Sequence, residues 1–312
     1  MKGIELAEKY YREYGRTILD VFPEIEEELT IGLVGEGSEC FGFDDDVSQD
    51  HDFEPCFCIW LDREREEEYG FGLERAYAKL PKEMDGYVRQ RMSPVGGNRH
   101  GLLITEEFYS RFLGSEDVPE TLVSWLRIPS YALAAASNGI LFKEGKGKFT
   151  EIRNILLQGY PEDVRRKKIS AHLALMHQSG KYNYARCLSH GETGAAQLAL
   201  YEFVNSALQV VYLLNKKYCP YYKWAFRGMR EIKKLSEIEL PLTFLIENNN
   251  DKEFVDYKLG IIDDVSKMIL DEVKAQNLTK ATCNNLDTHA YSVLDGIKDP
   301  TLRNMHVMEF GV

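Results

Sequence analysis

The sequence predicts an α+β chain: a small mixed β-sheet with flanking helices, followed by an all-α helical bundle. Three observations predict this. Short apolar runs recur early, at residues 30–34, 57–61, 101–105 and 140–142, with glycine turns beside all but the second. The apolar spacing of the later residues is helical. Between them, Lys143-Glu144-Gly145-Lys146-Gly147 reads as an exit loop, which sets the expected domains at 1–147 and 148–312.

The elements follow in order. Ala7, Tyr10, Tyr11, Tyr14, Ile18, Leu19 and Phe22 recur at three- and four-residue spacing, a first helix with Pro23 as its stop. Residues 30–34 form a buried strand ended by the turn Gly35-Glu36-Gly37-Ser38. A second strand is expected over 50–61, then a helix from about residue 63 to Leu80, before Pro81. Gly96-Gly97-Asn98 makes a loop before the apolar strand at 101–105, which leads into a helix at 106–113. Ile140-Leu141-Phe142 reads as an edge strand. Pro161, with Glu162 and Asp163 in the first turn, starts a helix to about His177. From Thr193 to Lys217 the residues Ala195, Leu198, Ala199, Phe203, Ala207, Val210, Val211 and Leu214 form a stripe that places this helix centrally in a bundle. Further helices open at Tyr222 and run over 254–270.

Apolar residues make up 44% and aromatics 12% of the 312 residues, enough for two packed cores. No run of about 18 apolar residues occurs, so no membrane span is expected. Met1-Lys2-Gly3-Ile4-Glu5 turns charged at once and does not resemble a signal peptide. The cysteines are scattered, without a C-x-x-C pair, and Cys56 and Cys58 read as small core residues. A cytoplasmic setting is therefore expected. The net charge of −12 disfavours wrapping a nucleic-acid polymer and would suit a small cationic acceptor. No G-x-x-x-x-G-K-[ST] loop is present, which excludes a P-loop NTPase.

The chemistry centres on Gly37-Ser38, a spacer of about a dozen residues, and Asp50-His51-Asp52. On an extended strand, residues i and i+2 share a face, so Asp50 and Asp52 project together about 7 Å apart along the backbone, and His51 points away. Two same-side carboxylates repel unless a hard cation lies between them, and Mg²⁺ is the natural candidate.

At these residues the chain resembles the nucleotidyltransferase superfamily, whose signature is Gly-Ser followed by Asp-x-Asp. The string Ser48-Gln49-Asp50-His51-Asp52-Phe53-Glu54-Pro55 is similar to a bacterial nucleotidyltransferase-like family of unassigned function. So are Trp125-Leu126, the block Tyr160-Pro161-Glu162-Asp163-Val164, and Tyr218-Cys219-Pro220-Tyr221-Tyr222-Lys223-Trp224. The resemblance implies that Gly37 and Ser38 hold the terminal phosphates of an NTP, ATP being favoured. It implies two Mg²⁺ ions on Asp50 and Asp52, and in-line attack of an acceptor hydroxyl on the α-phosphorus. The third carboxylate usual in such proteins has no counterpart within residues 101–105, and Glu106, beside Glu107, is the nearest substitute.

Outside this motif, Glu202 lies midway along the central apolar helix. The resemblance implies that it is a general base supplied by the helical domain, with burial raising its pKa, and the alternative is a salt-bridge partner. Lys223 at a helix start either reaches the triphosphate or snorkels beside Tyr221, Tyr222 and Trp224. The run Arg165-Arg166-Lys167-Lys168 reads as a solvated basic face, and Asp44-Asp45-Asp46 as a solvated loop. The other histidines show no zinc spacing. The expected function is transfer of a nucleoside monophosphate, AMP foremost, to a hydroxyl of a small-molecule acceptor such as an aminosugar, with release of pyrophosphate. The alternatives are a nucleotide- or partner-binding module without turnover, and AMP transfer onto protein.

Overall fold

The computed structural model describes residues 1–45, 47, 53–89 and 99–311. Two compact units emerge: Met1–Pro119 with Ala132–Gln158, and Glu120–Tyr131 with Gly159–Val312. Along the chain the elements are α1 (Gly3–Leu19), β1 (Thr30–Leu33), the single turn α2 (Ser38–Phe41), β2 (Cys58–Leu61), α3 (Phe71–Ala78), the short strands β3 (Glu83–Met84) and β4 (Tyr87–Val88), β5 (Gly101–Ile104) and α4 (Thr105–Leu113). There follow α5 (Leu122–Arg127), α6 (Ser130–Ser137), β6 (Ile140–Lys143), α7 (Lys148–Leu156), α8 (Glu162–Met176), α9 (Tyr184–Ser189) and α10 (Thr193–Leu214). The last are α11 (Tyr222–Met229), α12 (Glu239–Glu247), α13 (Lys252–Ala275), α14 (Leu286–Asp295) and α15 (Pro300–Asn304). The architecture is α+β, as the sequence predicts.

The first unit holds a mixed four-stranded sheet in the order β5-β2-β1-β6. β1 runs antiparallel to β2 and β6, while β2 and β5 are parallel. Alternation along β2 sorts its side chains between two cores. Ile59 and Leu61 join Leu6, Tyr10, Ile31 and Leu73 under α1 and α3. Trp60 faces the other way and stacks on Phe149 of α7 at 3.9 Å, with Phe108 of α4 edge-on at 5.6 Å. Tyr109 Oη donates to the Phe149 carbonyl. These contacts keep α7 in the first unit, whereas the exit loop at 143–147 suggested that the chain had already left it. The segment Glu120–Tyr131, which belongs to the second unit, carried no sequence signal of that assignment. Gly32 lets β6 approach, since a Cβ there would lie 2.4 Å from the Ile140 carbonyl oxygen.

In the second unit α8 packs on α14 and α10, and α10 also packs on α9, α12 and α13, the central place its apolar stripe predicts. Ala195 and Leu198 of that stripe are nonetheless exposed. The basic run is not a solvated face. Arg165, Lys167 and Lys168 are all buried. Arg165 and Arg166 both grip Glu162, Lys167 Nζ donates to the carbonyls of His306 and Val307, and Lys168 Nζ donates to that of Phe310 at 3.0 Å. The long lysine stems bury along α8 while both ammonium heads find carbonyl oxygens of the last segment.

Candidate functional site

Register places the candidate residues at two ends of the sheet. Gly32 pairs with Cys58, and Cys58 with Gly101. The end of β1, the starts of β2 and β5, and the start of β6 therefore share one edge. The Gly35–Ser38 turn lies there, directly after β1. Gly35 is buried and sits at φ +149°, a conformation that demands glycine, and no described residue comes within 4 Å of where a Cβ would stand. Asn138 clamps it: Asn138 Oδ1 accepts from the Gly35 N–H at 3.0 Å, and Nδ2 donates to the Gly35 carbonyl at 2.7 Å. Arg153 in turn donates to the carbonyls of Asn138 and Gly139. Gly37 caps α2, and Ser38, its first residue, is half-buried. The Glu39 carboxylate folds over Gly37, since a Cβ there would lie 1.8 Å from Glu39 Oε1.

The same edge carries Glu54 and His100, two residues the sequence reading passed over as site candidates. His100 Nε2 meets Glu54 Oε1 in a pair with side chains only 14% and 9% exposed. Cys58 Sγ donates to the Arg99 carbonyl at 3.3 Å. Burial pushes the Cys58 thiol up to about 12 and holds Cys40 and Cys56 well above the ordinary range, so all three stay protonated core residues. Proximity of Glu54 to Asp50-x-Asp52 was the available signal. For His100 the signal was its place just before an apolar strand.

Asp50, His51 and Asp52 lie outside the described residues, as do Asp46 and the loop Gly96-Gly97-Asn98. β2 begins at Cys58, and residues 53–57, with a bend at Glu54-Pro55, are not strand, so of the strand expected over 50–61 only the apolar end is strand among the described residues. Among the described residues no group of three His, Cys, Asp or Glu is arranged to hold a metal ion. Asp44 is not a solvated loop residue. It is buried, and its Oδ2 accepts from the Gly3 N–H at 2.6 Å, tying down the start of α1.

Glu106 stands at the opposite edge. It opens α4 just after β5, which runs parallel to β2, so Ile104 pairs with Leu61 at the end remote from Gly37 and Ser38. There Glu106 accepts from the Arg63 N–H at 3.0 Å and lies 3.7 Å from Lys148 Nζ. Asp62 beside it accepts from the Lys148 N–H and caps α7. The structure thus separates Glu106 from the glycine turn and gives it a structural task.

In the second unit, Glu202 is exposed, contrary to the burial its helix position suggested, and accepts from Ser206 Oγ at 3.2 Å. The polar face of α10 is wider than the apolar stripe implied. Lys223 is exposed and its Nζ lies 4.9 Å from the centre of the Trp224 ring, an aromatic contact within its own helix.

Fold and turn together define an α+β protein whose small mixed sheet presents a glycine-serine turn after its first strand, with a helical unit attached. Residues 125–225 match a family model described as a domain of unknown function, DUF4037. Trp125-Leu126, Tyr160–Val164 and the block from Tyr218 to Trp224 fall within that match, whereas Gly37, Ser38, Asp50 and Asp52 precede it. Among solved structures the chain is similar to a nucleotidyltransferase-like protein from Exiguobacterium sibiricum, 11% identical over 91% of this chain and 89% of that one, with a TM-score of 0.37. No curated protein matches the chain. Among the described residues no helix is long and apolar enough to cross a membrane.

Proposed function

We propose that the protein is a Mg²⁺-dependent nucleotidyltransferase that moves a nucleoside monophosphate, AMP foremost, from an NTP to a hydroxyl of a small-molecule acceptor and releases pyrophosphate. The observation that carries this reading is the clamped Gly35–Ser38 turn, set at the sheet edge where β2 begins. A glycine turn at a strand end, its backbone held in one shape, is a form that phosphate cradles take. The run Asp50-His51-Asp52 leads toward β2 in sequence and supplies the acids for two Mg²⁺ ions. Since the described residues alone hold no metal cluster, the metal reading rests on Asp50 and Asp52. Bound Mg²⁺ would neutralise the triphosphate and activate the acceptor hydroxyl.

The test is replacement of both Asp50 and Asp52 by Asn, followed by calorimetry with ATP and Mg²⁺ and by pyrophosphate detection with a panel of acceptors. Loss of Mg²⁺-dependent ATP binding with the fold intact supports the reading. Unchanged ATP binding in the double variant sinks it.

A second reading is favoured by the position of Glu106, which leaves the edge near Ser38 without an acid from β5 among the described residues. In it, the site binds a nucleotide or a partner protein without turnover. Mg²⁺-dependent ATP binding unaccompanied by pyrophosphate release, with every acceptor and with lysate protein, would favour it over transfer.

A further inference from the structure

The helical unit contains a cavity of about 540 Å³ that no part of the proposed transfer chemistry uses. Its mouth is aromatic: Tyr131, Tyr221 and Tyr222 are 51%, 48% and 76% exposed, and their rings meet in sequence at 5.9 and 4.3 Å. Its inner wall includes Lys168 and His172, which are 4% and 3% exposed. Asn205 and Gln209 add neutral amides, and no Asp or Glu is part of the lining among the described residues.

A buried ammonium without a carboxylate is costly, and proteins ordinarily pair it. Among the described residues no carboxylate pairs with Lys168: its Nζ donates to the Phe310 carbonyl and lies 5.4 Å from the Tyr160 ring, two weak substitutes for an anion. The acid linked to this wall, Glu202, reaches it only through Ser206, whose Oγ is 3.4 Å from His172 Nδ1, and Glu202 does not line the cavity. A ligand anion would supply the missing charge, and the ring cluster would take a flat ring system. The volume suits a small metabolite-sized molecule.

We propose that this cavity binds a small ring compound carrying one carboxylate or phosphate, with the ring among Tyr131, Tyr221 and Tyr222 and the anion at Lys168. Equilibrium binding reads it, so it stands whether or not the first unit transfers nucleotides. It points away from cationic acceptors despite the overall charge of −12.

Three probes with the same ring and different charge test it on the full chain by calorimetry: 4-hydroxyphenylacetate, 4-ethylphenol and tyramine, with phenyl phosphate to separate the two anions. The anions should bind at least about tenfold more tightly than 4-ethylphenol, and tyramine more weakly still. Lys168→Met should erase the preference and Lys168→Arg should keep it. Tyr221→Ala should weaken all binding by roughly tenfold. Equal binding of the three charges to the unaltered protein overturns the proposal, and that comparison needs no variant to fold. So does an unchanged preference in Lys168→Met, or binding of both anions weaker than about 1 mM.

Discussion

Asn138 holds the backbone of Gly35 from both sides, accepting from its N–H and donating to its carbonyl, across more than a hundred residues of chain. The start of one edge strand thereby fixes the shape of the turn that ends its neighbour. Asn138→Ala removes both bonds. It should cost about 1–2 kcal/mol in chemical denaturation and weaken ATP binding by a larger factor than stability alone explains. Equal ATP affinity in the variant would separate the turn from nucleotide binding.

Gly139, next to that clamp, has φ +67°, and a Cβ would stand 1.9 Å from the Leu33 carbonyl oxygen. Backbone cannot swing aside as a side chain does. Gly139→Ala should therefore destabilise the first unit by about 2–4 kcal/mol, seen as a lowered denaturation midpoint. Gly37→Ala makes a useful contrast, because the atom in its way is the flexible Glu39 carboxylate. It should cost less than about 1 kcal/mol of stability.

The two edges of the sheet predict opposite behaviour for two glutamates. Glu106→Gln should leave nucleotide transfer within about threefold and cost roughly 1 kcal/mol of stability, since it weakens the tie to Arg63 and Lys148. Glu54→Gln, on the edge of the glycine turn, should lower transfer by about tenfold or more. Steady-state rates of pyrophosphate release decide between them, and a larger loss at Glu106 would reverse the assignment.

His172 supplies an acid switch in stability. Burial, with Lys168 nearby, lowers its pKa to about 3, so the folded protein keeps it neutral while the unfolded chain takes up a proton near 6.5. The unfolded state then binds more protons between those values, and stability falls as pH drops from about 6.5 toward 3. Thermal unfolding of His172→Gln should lose less midpoint than the parent across that window. Parallel curves would remove His172 as the cause.

Burial lowers Lys168 to about 8, below its unfolded value of 10.5. Between those values the unfolded chain holds the extra proton, so this residue's contribution to stability rises with pH across the window. The parent should gain midpoint relative to Lys168→Met between pH 8 and 10, as followed by circular dichroism.

Much of the architecture was legible because it is local. Helical spacing identified α1 and α10, Pro161 and the acids after it marked the start of α8, and glycine-bounded apolar runs identified β1, β5 and the edge strand β6. The hairpin β3–β4 escaped notice although Asp85-Gly86 is a strong turn pair, because its strands are only two residues each. The Gly-Ser turn and its spacing to Asp50 and Asp52 were likewise readable from the chain alone. What linear order could not give was which end of the sheet each residue occupies. The parallel pairing of β2 with β5 sends Glu106 to the edge remote from Ser38 and brings His100 to the near one. Nor could composition tell that Lys167 and Lys168 are buried, because a stem of methylenes hides in a core as readily as it lies on a surface. Sequence sets the period and the turns. Strand direction and long-range packing, which depend on contacts between distant segments, decided which side chains meet.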